Sequence, residues 1–446
     1  MEIILDKNSA TEGLIKVTLK EPDYQPKVEE KVKEYSRKAQ IKGFRPGKVP
    51  PSIIRKMYGK TILIEEINEI LSKSVIDYIK ENSIKIIGDP LPVMEKTASI
   101  DWDRQKDFEF EYMVGLVDPF TVDYSLKIES LEVEVDQATI DETLQKLQRD
   151  YGNYSEPEVR EENDDLFGTI ALLGTEIKTE VWLLHDQLKE EAKKNLAGLK
   201  KDDVAKVDIK SLFKEESDLA KAMRVTPEEA RNLSGEYELT ITRIHRVLPS
   251  EINQEFFDKV FGTDTVKTEV EFRARIADTI QKNYNHEAGH YTEHIIQKRL
   301  LESTSINIPE NFYKKWILAI NKGKVTEEDI TRDYDKYLND LKWSLIFNKV
   351  SEDSEVKIEH DDILNNAKEL IRSQFAAYGI AQGAEENIDS FANNYLKGKE
   401  GENYINTYNR VKSEKVMGIL KEKLQISFKK VNPANFLREV QNNQNG

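Results

Sequence analysis

The chain has no cysteine. Disulfides, thiolate metal sites and a cysteine nucleophile are therefore excluded together, and a reducing compartment, the cytoplasm, is expected. Only 13 of its 446 residues are proline and 20 glycine, which excludes collagen-like and low-complexity architectures. No apolar run approaches the roughly 18 uninterrupted residues of a membrane span. The opening MEIILDKNSATEG has neither the basic nor the apolar region of a secretory signal, so no membrane partner is expected. Gly-x-Gly-x-x-Gly and Walker A patterns are also missing, so no nucleotide or other cofactor is expected. What is present is charge: 82 acidic residues against 66 basic, a net −16, with 33% charged and 38% hydrophobic. At roughly 100–200 residues per domain the length suits two to four domains. So much surface fits an elongated or multi-lobed molecule better than one large sphere.

Residues 1–115 read as one α+β unit. Alternating runs at Glu2–Leu5 and Leu14–Lys20 predict strands, and Phe108–Val114 is the clearest alternation in the chain. Between them, helical spacing places Val28, Val32 and Tyr35 on one face, then Ile67, Ile70, Leu71, Val75 and Tyr78 on another. Residues 116–160 form a linker or extension with one strand-like run, Leu131–Val135, and a charged helix. From 161 to 247 alternation returns in Thr169–Leu173, Glu176–Leu184, Val204–Leu212 and Tyr237–Val247, a second, smaller α+β domain. From 248 to 446 the pattern is helical almost to the end, broken near Gly262, Pro309, Gly323, Gly379–Gly383 and Gly398–Gly401, with a disordered tail expected at Gln441–Gly446.

The informative segment is Arg37–Lys60. It holds Arg37, Lys38, Lys42, Arg45, Lys48, Arg55, Lys56 and Lys60 and no acid, eight cations in 24 residues of an acidic protein. Such a block points to an acidic partner. At its centre lies Gly43-Phe44-Arg45-Pro46-Gly47-Lys48-Val49-Pro50. Pro46 and Gly47 suit the two central positions of a type II turn, where proline fixes φ and glycine supplies φ > 0. The turn presents Phe44, Arg45 and Lys48 at the tip of a loop between two helices. An exposed phenylalanine beside two cations suits a protein–RNA surface: the cations meet phosphates while the ring stacks or fills an apolar notch.

GFRPGKVP resembles the G-F-R-x-G-K-x-P signature of the trigger factor family of bacterial ribosome-associated chaperones, and the order of the parts along the whole chain is similar. The resemblance implies an α+β, multi-domain elongated fold: a ribosome-binding head (1–115), a linker (116–160), an FK506-binding-type isomerase domain (161–247) and an all-α client-binding region with arms (248–446). It implies that Gly43, Phe44, Arg45, Gly47 and Lys48 hold the protein on a tunnel-exit ribosomal protein and neighbouring rRNA. The partners it implies are the ribosome and nascent or unfolded polypeptides, bound without ATP, with the free protein's homodimerisation left open. Phe312, Trp316, Ile320, Phe375 and Tyr378 are the candidate client-binding residues.

The middle segment departs from the family's isomerase pocket, an apolar bowl of aromatics with an Asp on the adjacent strand and an Ile-Pro-Gly-Phe turn. Ala171 and Leu172 stand where the Asp-Phe pair would fall, and His185–Glu190 has neither Pro nor Gly. A scaffold with weak or no isomerase activity is expected, its lone Trp182 packed in the core. An active isomerase remains an alternative, and so does a zinc metalloprotease. His286-Glu287-Ala288-Gly289-His290 matches H-E-x-x-H, with His294 one further turn along. The polar residues before it and the glycine within it favour a solvated helix face, and no metal site is expected.

Overall fold

The computed structural model describes the whole chain except Pro46, Glu162, 175–177, 378–384 and 445–446. Two compact units are distinguished: residues 1–129 with 293–427, and residues 130–292 with 428–446.

In the first unit, β1 (Glu2–Lys7), β2 (Glu12–Leu19), β3 (Ile86–Pro92) and β4 (Phe108–Leu116) form an antiparallel sheet in the order β1-β2-β4-β3. Strict alternation along β2 turns Ile15, Val17 and Leu19 to the core. There they meet Val28 and Val32 of the helix Glu21–Lys38, and Ile54, Ile62, Ile67, Leu71 and Val75 of the helix Pro51–Glu81. The helices thus cover one sheet face with the apolar stripes read from their spacing.

β5 (Lys127–Val133) pairs with a strand near the end of the chain. In the second unit, β6 (Asn153–Ser155), β7 (Asp165–Leu172), β8 (Lys178–Leu183), β9 (Val204–Asp208) and β10 (Glu236–Leu248) make a sheet in the order β6-β10-β7-β8, with β9 also on β10. Leu166, Ile170, Val181, Leu183, Leu239 and Ile241 point inward, against Leu188, Ala192, Leu196 and Leu219. The predicted run Glu176–Leu184 begins outside the described residues, and Val204–Leu212 divides into a strand and the short helix Ile209–Leu212.

Beyond residue 250 come the helices Gln254–Phe261, Glu269–Ser303, Glu310–Asn321, Glu327–Asp353, His360–Ala377, Ile388–Lys397, Glu402–Lys423 and Pro433–Gln444. Two corrections apply here. β11 (Gln425–Val431) interrupts the helical pattern and pairs with β5. Only Ile426 and Val431 are half-buried and the five other side chains are exposed, so no alternation betrays it. The expected disordered tail is the last turn of a helix as far as Gln444. The break at Gly379–Gly383 lies outside the described residues.

Candidate functional site

The basic loop is built by two consecutive turns. Phe44 N–H donates to Ile41 O at 3.0 Å and Lys48 N–H to Arg45 O at 2.9 Å. Each turn has glycine at its third position with φ in the left-handed region, Gly43 at +97° and Gly47 at +75°. Sequence predicted the second turn; Pro46 itself lies outside the described residues. The first was legible by the same rule, in Lys42-Gly43, and was missed. The loop's ends are tied to the head. Val49 is buried and its carbonyl accepts from the Ser36 hydroxyl, while Ala39 N–H donates to Tyr35 O at 2.7 Å. Phe44 sits where the two turns meet, 38% exposed, with Arg45 and Lys48 also exposed.

The eight cations divide into two groups. Lys38 pairs with Glu34 at 2.6 Å, Arg55 with Glu29 at 3.1 Å and Lys60 with Asp103 at 2.8 Å. Among the described residues Arg37, Lys42, Arg45, Lys48 and Lys56 form no ion pair. The flanks of the block are therefore partly neutralised and the uncompensated charge is concentrated at the tip, beside the exposed ring. The surface pairs contribute at most about 1 kcal/mol each, so their effect is on charge distribution more than on stability.

The candidate client residues are not equivalent. Phe312 is buried, its ring lying over Gly115. Trp316 is half-buried, stacked on Tyr313 with ring centroids 5.9 Å apart and lying against Gly88. Both pack the helix Glu310–Asn321 onto the head sheet with Ile87, Tyr313 and Ile317, so Phe312 is corrected from a client contact to a core residue. Ile320 is 47% exposed. Phe375 is half-buried, with Phe391 5.3 Å away edge-on, and Tyr378 lies outside the described residues.

In the middle sheet Ala171 is buried and Leu172 exposed, and His185–Gln187 forms a single 3₁₀ turn. Trp182 is not core, contrary to expectation. Val181 and Leu183 take the inner positions of β8, leaving Trp182 on the outer face at 39% exposure. On the helix Glu269–Ser303, His286 and His290 are exposed with their rings 4.4 Å apart. Among the described residues no group of three His, Cys, Asp or Glu could hold a metal ion, and the metalloprotease alternative has no support. No helix among the described residues is long and apolar enough to cross a membrane.

Three family models match the chain in succession: bacterial trigger factor protein over residues 1–147, probable trigger factor FKBP-like domain over 154–249, and probable trigger factor C-terminal domain over 290–439. Among curated relatives, a trigger factor from Thermodesulfovibrio yellowstonii is 24% identical over 93% of this chain and 99% of its own. One from Pelagibacter ubique is 21% identical over 97% and 87% respectively. A solved structure described under "Promiscuous Substrate Recognition in Folding and Assembly Activities of the Trigger Factor Chaperone" is 16% identical, with a TM-score of 0.45, and spans 95% of this chain and 100% of that one.

Proposed function

The chain belongs to the trigger factor family of ribosome-associated chaperones, and from that premise we propose that it docks at the tunnel exit through Gly43, Phe44, Arg45, Gly47 and Lys48. The observation that carries this reading is the tip itself: an exposed aromatic ring, and cations that form no ion pair among the described residues, on a backbone fixed by two turns. Arg45 and Lys48 meet rRNA phosphate, while Phe44 enters an apolar notch on a ribosomal protein. Gly43 and Gly47 hold the backbone that presents them.

The division of labour follows the four-part reading of the sequence. The head (1–115) docks, 116–160 connects, the FKBP-like domain (161–247) keeps the scaffold with little isomerase activity, and the helical region (248–446) holds clients in the cytoplasm without ATP. Ala171 and Leu172 in place of the Asp-Phe pair, and an interior filled by Leu188, Ala192 and Leu196, support the weak-isomerase reading. Client contacts fall on exposed apolar side chains such as Ile320 and, more weakly, on Phe375.

Co-sedimentation with ribosomes across a salt series tests the docking. The Phe44→Ala/Arg45→Ala/Lys48→Ala variant should bind roughly 100-fold more weakly, and its salt slope should fall by about 0.7–0.9 for each cation removed. Undiminished binding by the variant would overturn the assignment. A proline-peptide isomerisation assay on the full chain tests the middle domain, where turnover well above background would overturn the degenerate-scaffold reading.

A further inference from the structure

Two apolar side chains seat the basic loop in the head: Ile41 packs on the core at its start, and Val49 is buried at its end. Between them the chain carries Phe44, Arg45 and Lys48 out into water. Seating does not by itself satisfy the Val49 carbonyl. A buried carbonyl needs a donor, and the next two residues, Pro50 and Pro51, have no N–H to give. The donor comes from the other side of the loop, from the Ser36 hydroxyl in the last turn of the helix Glu21–Lys38. A serine inside a helix can satisfy its hydroxyl on the carbonyl four residues earlier. Ser36 instead reaches 13 residues forward and closes the loop at its base.

The tie sits where it can set the tip. Lys48 directly precedes Val49, and its N–H holds the second turn through Arg45 O at 2.9 Å. Gly47 lies close against the helix end, where a Cβ would come 3.2 Å from the Arg37 carbonyl. The turn that bears Arg45 and Lys48 is thus held against the last helical turn, which carries the exposed Arg37. Opening the tie frees this turn but leaves the head sheet alone, since β2 and β4 pair with each other along their whole length. A freed turn has to be ordered again on docking, and that ordering is subtracted from the binding energy.

We propose that Ser36 is a positioning residue for docking. Its hydroxyl, acting through the Val49 carbonyl, preorganises the tip, so that the loop is ordered on folding rather than on binding. The proposal rests on the docking reading above. Replacing Ser36 removes no cation and no aromatic ring, and still weakens attachment.

The test is co-sedimentation of the full chain with ribosomes at low salt, where even weakened binding is measurable. Ser36→Ala should bind about fivefold more weakly than wild type, the effect of one hydrogen bond. Ser36→Thr keeps the hydroxyl and should restore binding. Added to the Phe44→Ala/Arg45→Ala/Lys48→Ala variant, Ser36→Ala should have no further effect, because no tip remains to be positioned. Hydrogen exchange in the free protein reads the tie directly: the Phe44 and Lys48 amides should lose protection in Ser36→Ala while those of β2 keep theirs. Alanine favours the helix, so urea unfolding should show Ser36→Ala folded under the assay conditions. Wild-type affinity in Ser36→Ala, with binding lost in the triple variant, would overturn the proposal and leave the docking reading standing. A loss that persists in the triple-variant background, or one without any change in exchange at Phe44 and Lys48, would overturn it equally. Undiminished binding by the triple variant would overturn the docking reading and this proposal with it.

Discussion

At Gly43 the space a Cβ would occupy is empty, and at Gly47 it meets only the Arg37 carbonyl at 3.2 Å; at Gly88 and Gly115 it is already filled by the rings of Trp316 and Phe312, at 2.3 and 2.5 Å. All four glycines accompany aromatic residues, yet the aromatics end in opposite places. In the loop, glycine permits a backbone conformation, φ > 0 in two turns, and Phe44 is left facing water. On the head sheet, glycine permits an approach, and the rings of the helix Glu310–Asn321 use the room to pack. An aromatic-rich helix therefore says little about client binding until its neighbour's glycines are accounted for. The aromatic between two glycine turns, by contrast, is left on the surface.

Substituting the packing glycines tests that contrast most severely. Gly88→Ala meets both a left-handed φ of +64° and the indole ring. It should cost about 2–4 kcal/mol and loosen the helix Glu310–Asn321 from the sheet. Gly43→Ala, with φ unfavourable but space free, should cost only about 1 kcal/mol. Urea unfolding of both variants reads this directly, and equal costs would erase the distinction.

The pH dependence of the two regions should differ as well. Burial, with the Asp340 carboxylate nearby, pushes the Tyr313 phenol up to about 12, and its hydroxyl donates to Tyr337 O at 2.9 Å. A pKa raised above the ordinary value of about 10 gives a stability contribution that is complete below pH 10 and is lost as pH rises through about 12. Packing of the helix Glu310–Asn321 should weaken across that interval, visible as tyrosinate absorbance rising together with unfolding. Tyr313→Phe should remove the alkaline step and cost about 1 kcal/mol at neutral pH. An alkaline step unchanged in that variant would locate the sensitivity elsewhere.

How much of this was legible in the sequence follows the range of the interactions. The loop could be read because its turn chemistry is local, with Gly47 fixed by its own turn and the charge block contiguous. The head strands and helices were legible because their apolar periods match one buried face. The position of Phe312 was not, since it depends on Gly115, nearly 200 residues earlier. Nor was that of Trp182, because alternation says which residues share a face but not which face is inner. β11 has no periodic burial to read. That only five of the eight cations lack an ion pair among the described residues required knowing that Asp103 and Glu29 come close to Lys60 and Arg55.

A smaller effect separates turn from helix within the loop's surroundings. Gly47→Ala must hold φ near +75° against the Arg37 carbonyl, costing about 1–2 kcal/mol and weakening ribosome binding by displacing Arg45 and Lys48. Gly59, inside the helix Pro51–Glu81 with its nearest contact 3.8 Å away, should instead gain about 0.5–1 kcal/mol on conversion to Ala. Stabilisation by both substitutions, in thermal unfolding, would mean that the second turn is not required.

The finest test compares a free cation with a paired one. Lys48→Gln removes a charge that has no ion pair among the described residues, so the salt slope of ribosome binding should fall by about 0.7–0.9. Lys60→Gln removes a charge already balanced by Asp103 at 2.8 Å and should leave the slope nearly unchanged. Both sites are exposed, and both variants should keep stability within about 0.5 kcal/mol of wild type, so any change in the slope reports phosphate contact rather than folding. Equal slope changes for the two would mean that the whole basic block lies against phosphate and that Asp103 yields its partner on docking. The tip would then be one contact among several rather than the point of attachment.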